Sequence, residues 1–171
     1  MAAGQKLVAV ARFAQVVSRV ADTVKAPHYP MPLPVIATTV QDKAVLLAQK
    51  PVGNVIELGR QADVTFVGVG TMGEDAALIR DGFVKPEEMR ALVKAGAVGE
   101  IIGWAYDAEG QLIEGLTNDR VVSAPLDQPA TRTVIGVAMA PPRLRAIKGA
   151  LIGKLINGLI TNEKMAELLL K

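Results

Sequence analysis

Apolar positions recur along this chain with two periods, and the alternation between them predicts an α/β architecture. Leu7 to Val24 carries apolar side chains around most of a helical wheel, interrupted by Arg12, Ser18, Arg19 and Asp22, and predicts a well-buried helix. Prolines at 27, 30, 32 and 34 exclude helix and suit an extended, edge-like segment that leads into a short strand at Val35-Ile36. Thr39 is placed to cap a helix from Gln41 to Gln49, and Pro51 to open another that runs to Arg60. Val64 to Val69 is the first clear buried strand, with Gly68 and Gly70 at its exit. Pro86 and two acids begin a helix over Lys85 to Lys94, and Gly96 follows its end.

Val98 to Tyr106 predicts the next strand, Asp107 to Gly110 a hairpin turn, Gln111 to Ile113 a return strand, and Asn118 to Val122 a further edge. Thr133 to Ala138 is the second clear buried strand, feeding a helix opened by Pro141 and Pro142 that reaches about Gly153. A short strand from Asn157 to Ile160 and a final helix, capped near Asn162 and running to Leu170, close the chain. Strands alternating with helices imply a three-layer, Rossmann-like α/β sandwich with a mainly parallel sheet. Val64–Val69 and Val134–Ala138 are expected as its inner strands, and residues 98–122 as a small antiparallel insertion. In such sheets ligands sit at the carboxyl ends of the strands.

Composition narrows the chemistry more than the fold. The chain has 171 residues, about one domain, half of them apolar, with a net charge of +2 and acids and bases interspersed. With no basic stripe and no helix-turn-helix, this segment is not expected to bind DNA by itself. The absence of cysteine excludes disulfides, cysteine nucleophiles and thiolate metal sites. It also fits a reducing, cytoplasmic compartment. No apolar run approaches a membrane span, so no membrane partner is expected. The single histidine, His28, lies in the proline-rich segment and is expected to be structural. No metal, cofactor or catalytic residue is expected.

Four features remain as candidate chemistry. Gly68 and Gly70 lack the third glycine of a dinucleotide fingerprint. They read either as a strand exit needing positive φ or as N–H groups open to an anion beside a helix start, and the two readings are compatible. Glu100 begins a strand among Val98, Ile101 and Ile102, where an acid is costly to bury unless bonded; a sugar hydroxyl would be a suitable donor. Arg143 and Arg145 lie in the first turn of a helix, where cations oppose the dipole unless an anion binds there too. Glu74, Asp75 and Asp81 fit no calcium-loop spacing and read as a solvated turn, with Glu87 and Glu88 as ordinary helix-start acids.

Taken together, these landmarks resemble the effector-binding domain of the SorC family of bacterial transcriptional regulators. The resemblance runs from about Tyr29 to Leu170. It is carried by Tyr29–Val35, Ala62–Gly70, Leu92–Glu100, Tyr106–Gly110, Ala146-Ile147 with Ala150-Leu151, and Asn157–Thr161 with Ala166–Leu169. It implies a sugar-isomerase/deaminase-like Rossmann fold used for binding and not for turnover. It also implies a phosphorylated sugar effector, a homo-oligomer (dimer or tetramer), and operator DNA bound through a separate helix-turn-helix domain missing from this chain. By position, Glu100 matches the acid that contacts the sugar, and Arg143 falls where the family usually has a lysine. Gly68, Gly70, Thr71 and Met72 match the loop lining the pocket. Two departures stand out: Ala138–Pro141 replaces an Ala-Gly-Gly pattern, and the usual N-terminal strand and glycine-rich turn are not found. Residues 1–171 are therefore expected to be a single effector-binding domain, incomplete at its N-terminus. The competing readings are a sugar-phosphate isomerase or deaminase of the same fold, and a non-binding oligomerisation remnant.

Overall fold

The computed structural model describes residues 16–31, 33–126, 130 and 132–171. Residues 16–24 are helical, but Val16, Val20 and Val24 are exposed and only Ala21 is buried. The well-buried helix read from the apolar pattern is therefore a surface helix in its described part, and its earlier residues lie outside the described ones. The next two helices follow the capping logic. Helix α1, Val40–Leu47, starts at Thr39, whose hydroxyl accepts from the Asp42 N–H while Asp42 accepts from the Thr39 N–H. Helix α2, Lys50–Arg60, has its proline in the first turn.

Two small sheets form the frame. Strands β1 (Val64–Gly68), β5 (Thr133–Val137) and β6 (Gly158–Ile160) make a parallel sheet in the order β1-β5-β6. Strands β2 (Gly70–Thr71), β3 (Gly99–Ile101) and β4 (Trp104–Tyr106) make an antiparallel one. The mixed α/β class with a parallel sheet and a small antiparallel part is as the periodicities imply. The single strand expected over Val98–Tyr106 is instead the β3-β4 hairpin, because Ile102 (φ 45°) and Gly103 (φ 92°) form a left-handed two-residue turn. The expected edge at Asn118–Val122 is a 3-10 turn, Asn118–Arg120, followed by one bridge from Val121 to Ile36.

Of the two strands expected to be inner, only β5 is; β1 ends the sheet among the described residues. The helices α5 (Leu144–Ile152) and α6 (Glu163–Leu169) cover one face of the sheet. Val67, Val69, Ala146, Ile147, Ala150, Ile156 and Met165 form its core. The register places Val64, Phe66, Ile135, Val137 and Ile160 on the opposite face. There Phe66 is 63 % exposed and Ile160 52 %.

A second core joins Ile36, Leu78, Phe83, Val84, Met89 and Val121, and includes contributions from α3 (Ala77–Arg80) and α4 (Pro86–Lys94). Arg120 ties its rim: it donates to the Ala37 and Thr38 carbonyls and pairs with Glu88. The hinge of the antiparallel part is Asn118, which is 5 % exposed. Its carbonyl accepts from the Ala105 N–H at 2.9 Å, and its amide donates to the Ala105 and Ile113 carbonyls at 2.9 and 2.7 Å. Asn118→Ala strands the Ala105 N–H and the Ile113 carbonyl, at about 1–3 kcal/mol for each one left unmet, whereas the Ala105 carbonyl still accepts from the Ile113 N–H at 3.0 Å. The variant is expected to lose roughly 3 kcal/mol in urea unfolding; a loss within error of zero would show that water replaces the amide.

Candidate functional site

The carboxyl end of β1 borders a cavity of about 490 Å3. Distant segments supply its walls: the extended run with Met31, Leu33 and Val35, the strand exit Gly68–Gly70, Leu78, Asp81 and Phe83, the hairpin residues Glu100, Ile102 and Gly103, Val122–Ala124, and Arg143. Two backbone hydrogen bonds and one from a side chain clip the extended run and its continuation into place. Val122 N–H donates to Val35, Ala37 N–H to Arg120, and Arg120 through its side chain to Ala37.

Glu100 sits in β3, paired with Gly70 on one side and Ala105 on the other. Its Oε2 accepts from the Gly103 N–H at 2.8 Å, so the carboxyl closes the β3-β4 turn. A Cβ at Gly70 would lie 2.8 Å from Glu100 Cδ. Neither Gly68 nor Gly70 has a positive φ, so Gly70 is needed for room and not for backbone freedom. Burial pushes the Glu100 carboxyl above its ordinary pKa, and the Gly103 N–H and the Arg143 charge pull part of the way back. Behind it Tyr106 donates its hydroxyl to the Ala146 carbonyl at 2.9 Å and pins the hairpin to α5. Burial, and then the Glu100 charge, raise the Tyr106 pKa, so it remains a neutral donor.

Arg143 ends the 3-10 turn Pro141–Arg143 that leads into α5, and its Nη1 donates to the Val69 carbonyl. The residue before the turn, Ala140, has φ 89°, a region that side-chain-bearing residues seldom occupy. The sequence candidates thus separate into two groups. Gly68, Gly70, Glu100 and Arg143 line one cavity, whereas Thr71 and Met72 do not. The exit of β1 does not hand over to a helix as expected: it continues into β2, where Thr71 pairs with Gly99 and carries the chain away. Met72 then packs on the cores around Met89 and Leu92. Arg145 is exposed and points to no described partner, and His28 is also exposed. No group of metal-ligating side chains occurs among the described residues.

Asp81 was missed as a lining residue. It reads as a solvated turn, yet it lies on the cavity wall. The available signal was its place between Leu78 and Phe83, two apolar residues that must both turn inward.

A family model described as "Putative sugar-binding domain" matches residues 3–171. The chain belongs to this family. The sugar-binding domain is 32 % identical over 155 residues to the erythritol catabolism regulatory protein EryD of Brucella abortus, covering 91 % of this chain and 49 % of that one. It is 35 % identical over 144 residues to the deoxyribonucleoside regulator of Bacillus subtilis, covering 84 % and 45 %. The full-length sorbitol operon regulator SorC of Klebsiella pneumoniae superposes with a TM-score of 0.80 at 28 % identity, over 88 % of this chain and 49 % of that one. A DeoR-family regulator of Listeria monocytogenes shares the fold with a TM-score of 0.85. The chain spans about half the length of these curated relatives. The family is a sugar-binding one and the relatives are transcriptional regulators, not enzymes, so the isomerase or deaminase alternative is not supported. Among the described residues no helix is long and apolar enough to cross a membrane.

Two consequences of this geometry can be measured. The unfolded Glu100 carboxyl titrates near 4.5 and the folded one higher, so the folded state holds the proton more tightly between these values. That contribution is complete below pH 4.5 and is lost as pH rises through the folded pKa. Glu100→Gln, which keeps an acceptor for Gly103, should therefore gain stability relative to the wild type as pH rises above 4.5 in urea unfolding. Parallel pH profiles for the two proteins would contradict the raised pKa. Ala140→Gly relieves the strained φ and is expected to add about 1 kcal/mol in thermal unfolding; a loss would mean that the backbone there is unstrained.

Proposed function

We propose that this sugar-binding domain is the effector domain of a bacterial sugar-responsive transcriptional regulator, and that the cavity at the end of β1 is its effector site. The observation that carries this reading is the convergence of Glu100, from β3, and Arg143, from the turn before α5, on one cavity beside Gly68 and Gly70. A buried carboxyl and a guanidinium facing apolar walls suit a sugar, whose ring carbons pack on Leu33, Val35 and Phe83 while its hydroxyls bond the polar groups. Residues 1–171 act as one binding unit. Operator DNA is contacted through a helix-turn-helix domain outside this chain, and effector occupancy changes that contact. The regulator works in the cytoplasm. The resemblance implies a phosphorylated effector, and on this chain Arg143 is the residue that would meet a phosphate.

Self-association is part of the same proposal. Val64, Phe66, Val137 and Ile160 leave an apolar sheet face exposed next to β1, which ends the sheet among the described residues, and this supports a homo-oligomer formed through a second copy of this surface. Phe66→Glu would place a charge in the middle of that face. Light scattering is expected to show a smaller species for this variant than for the wild type at micromolar concentration; an unchanged mass would exclude this face.

The site is tested by calorimetry on the full protein. Glu100→Gln and Arg143→Ala each remove a charge-assisted contact, worth about 1.5–3 kcal/mol. Each should weaken effector binding roughly ten- to a hundredfold, with the fold intact by circular dichroism. Unchanged affinity in both variants would overturn the assignment.

A further inference from the structure

Residues 35–37 and 120–122 form a very short two-stranded ladder, and this ladder builds part of the cavity wall. Val122 N–H donates to the Val35 carbonyl at 2.9 Å, Ala37 N–H donates to the Arg120 carbonyl at 2.8 Å, and Ile36 bridges Val121 between them. So short a pair has little stability of its own in water. Val35 and Val122 line the cavity, while Ile36 and Val121 are buried in the second core. Val35 also rests on the hairpin that carries Glu100. A Cβ at Gly103 would lie 2.5 Å from Val35 Cγ1, and the Gly103 N–H is the donor to the Glu100 carboxyl. The position of the ladder is therefore felt on the apolar wall and at the polar group opposite it.

The Arg120 side chain closes this ladder at its end. Its Nη1 donates to the Ala37 carbonyl at 3.0 Å and to the Thr38 carbonyl at 3.2 Å, and its Nη2 pairs with Glu88 Oε1. Glu88 is itself fixed, because its Oε2 accepts from the Lys85 N–H at 2.8 Å at the start of α4. One planar guanidinium thus joins the 37–38 backbone to α4, a task for which its fork of donors is suited. The Arg120 and Glu88 side chains are 18 % and 29 % exposed, so solvent screens the pair less than it would on an open surface. Arg120 does not line the cavity. It acts at one remove, through backbone carbonyls.

Resting on the effector-site reading above, we propose that Arg120 is a positioning residue of the effector site. Anchored on α4 by Glu88, it holds residues 35–38 against 120–122 and so sets where Val35 and Val122 stand relative to Gly103 and Glu100. It touches no effector atom. Without it the ladder keeps its two backbone bonds but not a single position. The ordering that Arg120 supplies in advance then falls to the effector, and affinity drops. A lysine keeps the charge beside Glu88 but lacks the planar fork, so it replaces arginine only in part.

The experiment is calorimetry on the full protein with erythritol, sorbitol, 2-deoxyribose and ribose and the phosphate ester of each, followed by amide hydrogen exchange. The compound that the wild type binds most tightly is the probe for the variants. Arg120→Met is expected to weaken it about tenfold, with Arg120→Lys and Glu88→Gln between that and the wild type. Exchange at the Ala37 and Val122 amides should quicken in Arg120→Met while β5 stays protected. Leu155→Ala is the control. Leu155 is buried just before β6, at the end of the parallel sheet away from the cavity, so its loss lowers stability but should leave affinity within about twofold of the wild type. Circular dichroism checks folding; if Arg120→Met is unfolded, Arg120→Lys and Glu88→Gln decide. Unchanged affinity in the Arg120 and Glu88 variants, an equal loss in Leu155→Ala, or exchange that quickens evenly along the chain would each overturn this inference and leave the effector site standing. Failure of every sugar and ester to bind the wild type would overturn both readings.

Discussion

The Glu100 carboxyl is the constraint around which the site is arranged. It lies in an antiparallel strand between two backbone neighbours, and its burial is unfavourable while it is ionised. Three adjustments accommodate it. Position 70 is glycine because a side chain would enter the space of the carboxyl. The β3-β4 hairpin turns at Ile102-Gly103 and offers it the Gly103 N–H. Arg143, from the turn before α5, supplies a nearby positive charge. The two sheets meet at this point, so the same interactions that house one acid also bring the strand ends together.

The backbone carries strain in the same neighbourhood. Ile102 and Ala140 both adopt positive φ, an unfavourable choice for a β-branched residue and for an alanine. The first lines the cavity, and the second opens the turn that delivers Arg143. Strain of this kind persists only where surrounding contacts over-determine it. Here Tyr106, bonded to Ala146, and Asn118, bonded to Ala105 and Ile113, supply those contacts. The hairpin is thus tied to α5, whereas Val35 and Ile36 are held by the Val122 N–H bond to Val35 and the bridge from Val121 to Ile36.

The parallel sheet is asymmetric. One face packs on α5 and α6 around Ile147 and Met165; the other shows Phe66, Val137 and Ile160. The apolar run over Val64–Val69 could not distinguish these faces. Its residues are apolar on both sides, and such a pattern is shared by a doubly covered strand and by a strand with one face open to an intermolecular partner.

Much of the architecture was legible in the sequence because it depends on local chemistry. Thr39, Pro51, Pro86 and Asn162 mark helix starts, Gly153 a helix end, and the Asp107–Gly110 turn is closed by the Asp107 side chain. Glu100 and Arg143 could be singled out because an acid among isoleucines and a cation at a helix start are each unfavourable alone. What only the tertiary structure decided were relations between distant segments. These are the hairpin inside Val98–Tyr106, the turning away of Thr71 and Met72, the edge position of β1, and the place of Asp81 on the cavity wall. The physical reason is the same in each case. Side-chain spacing reports the period of one element, whereas which of its faces is covered, and by what, depends on residues tens of positions away.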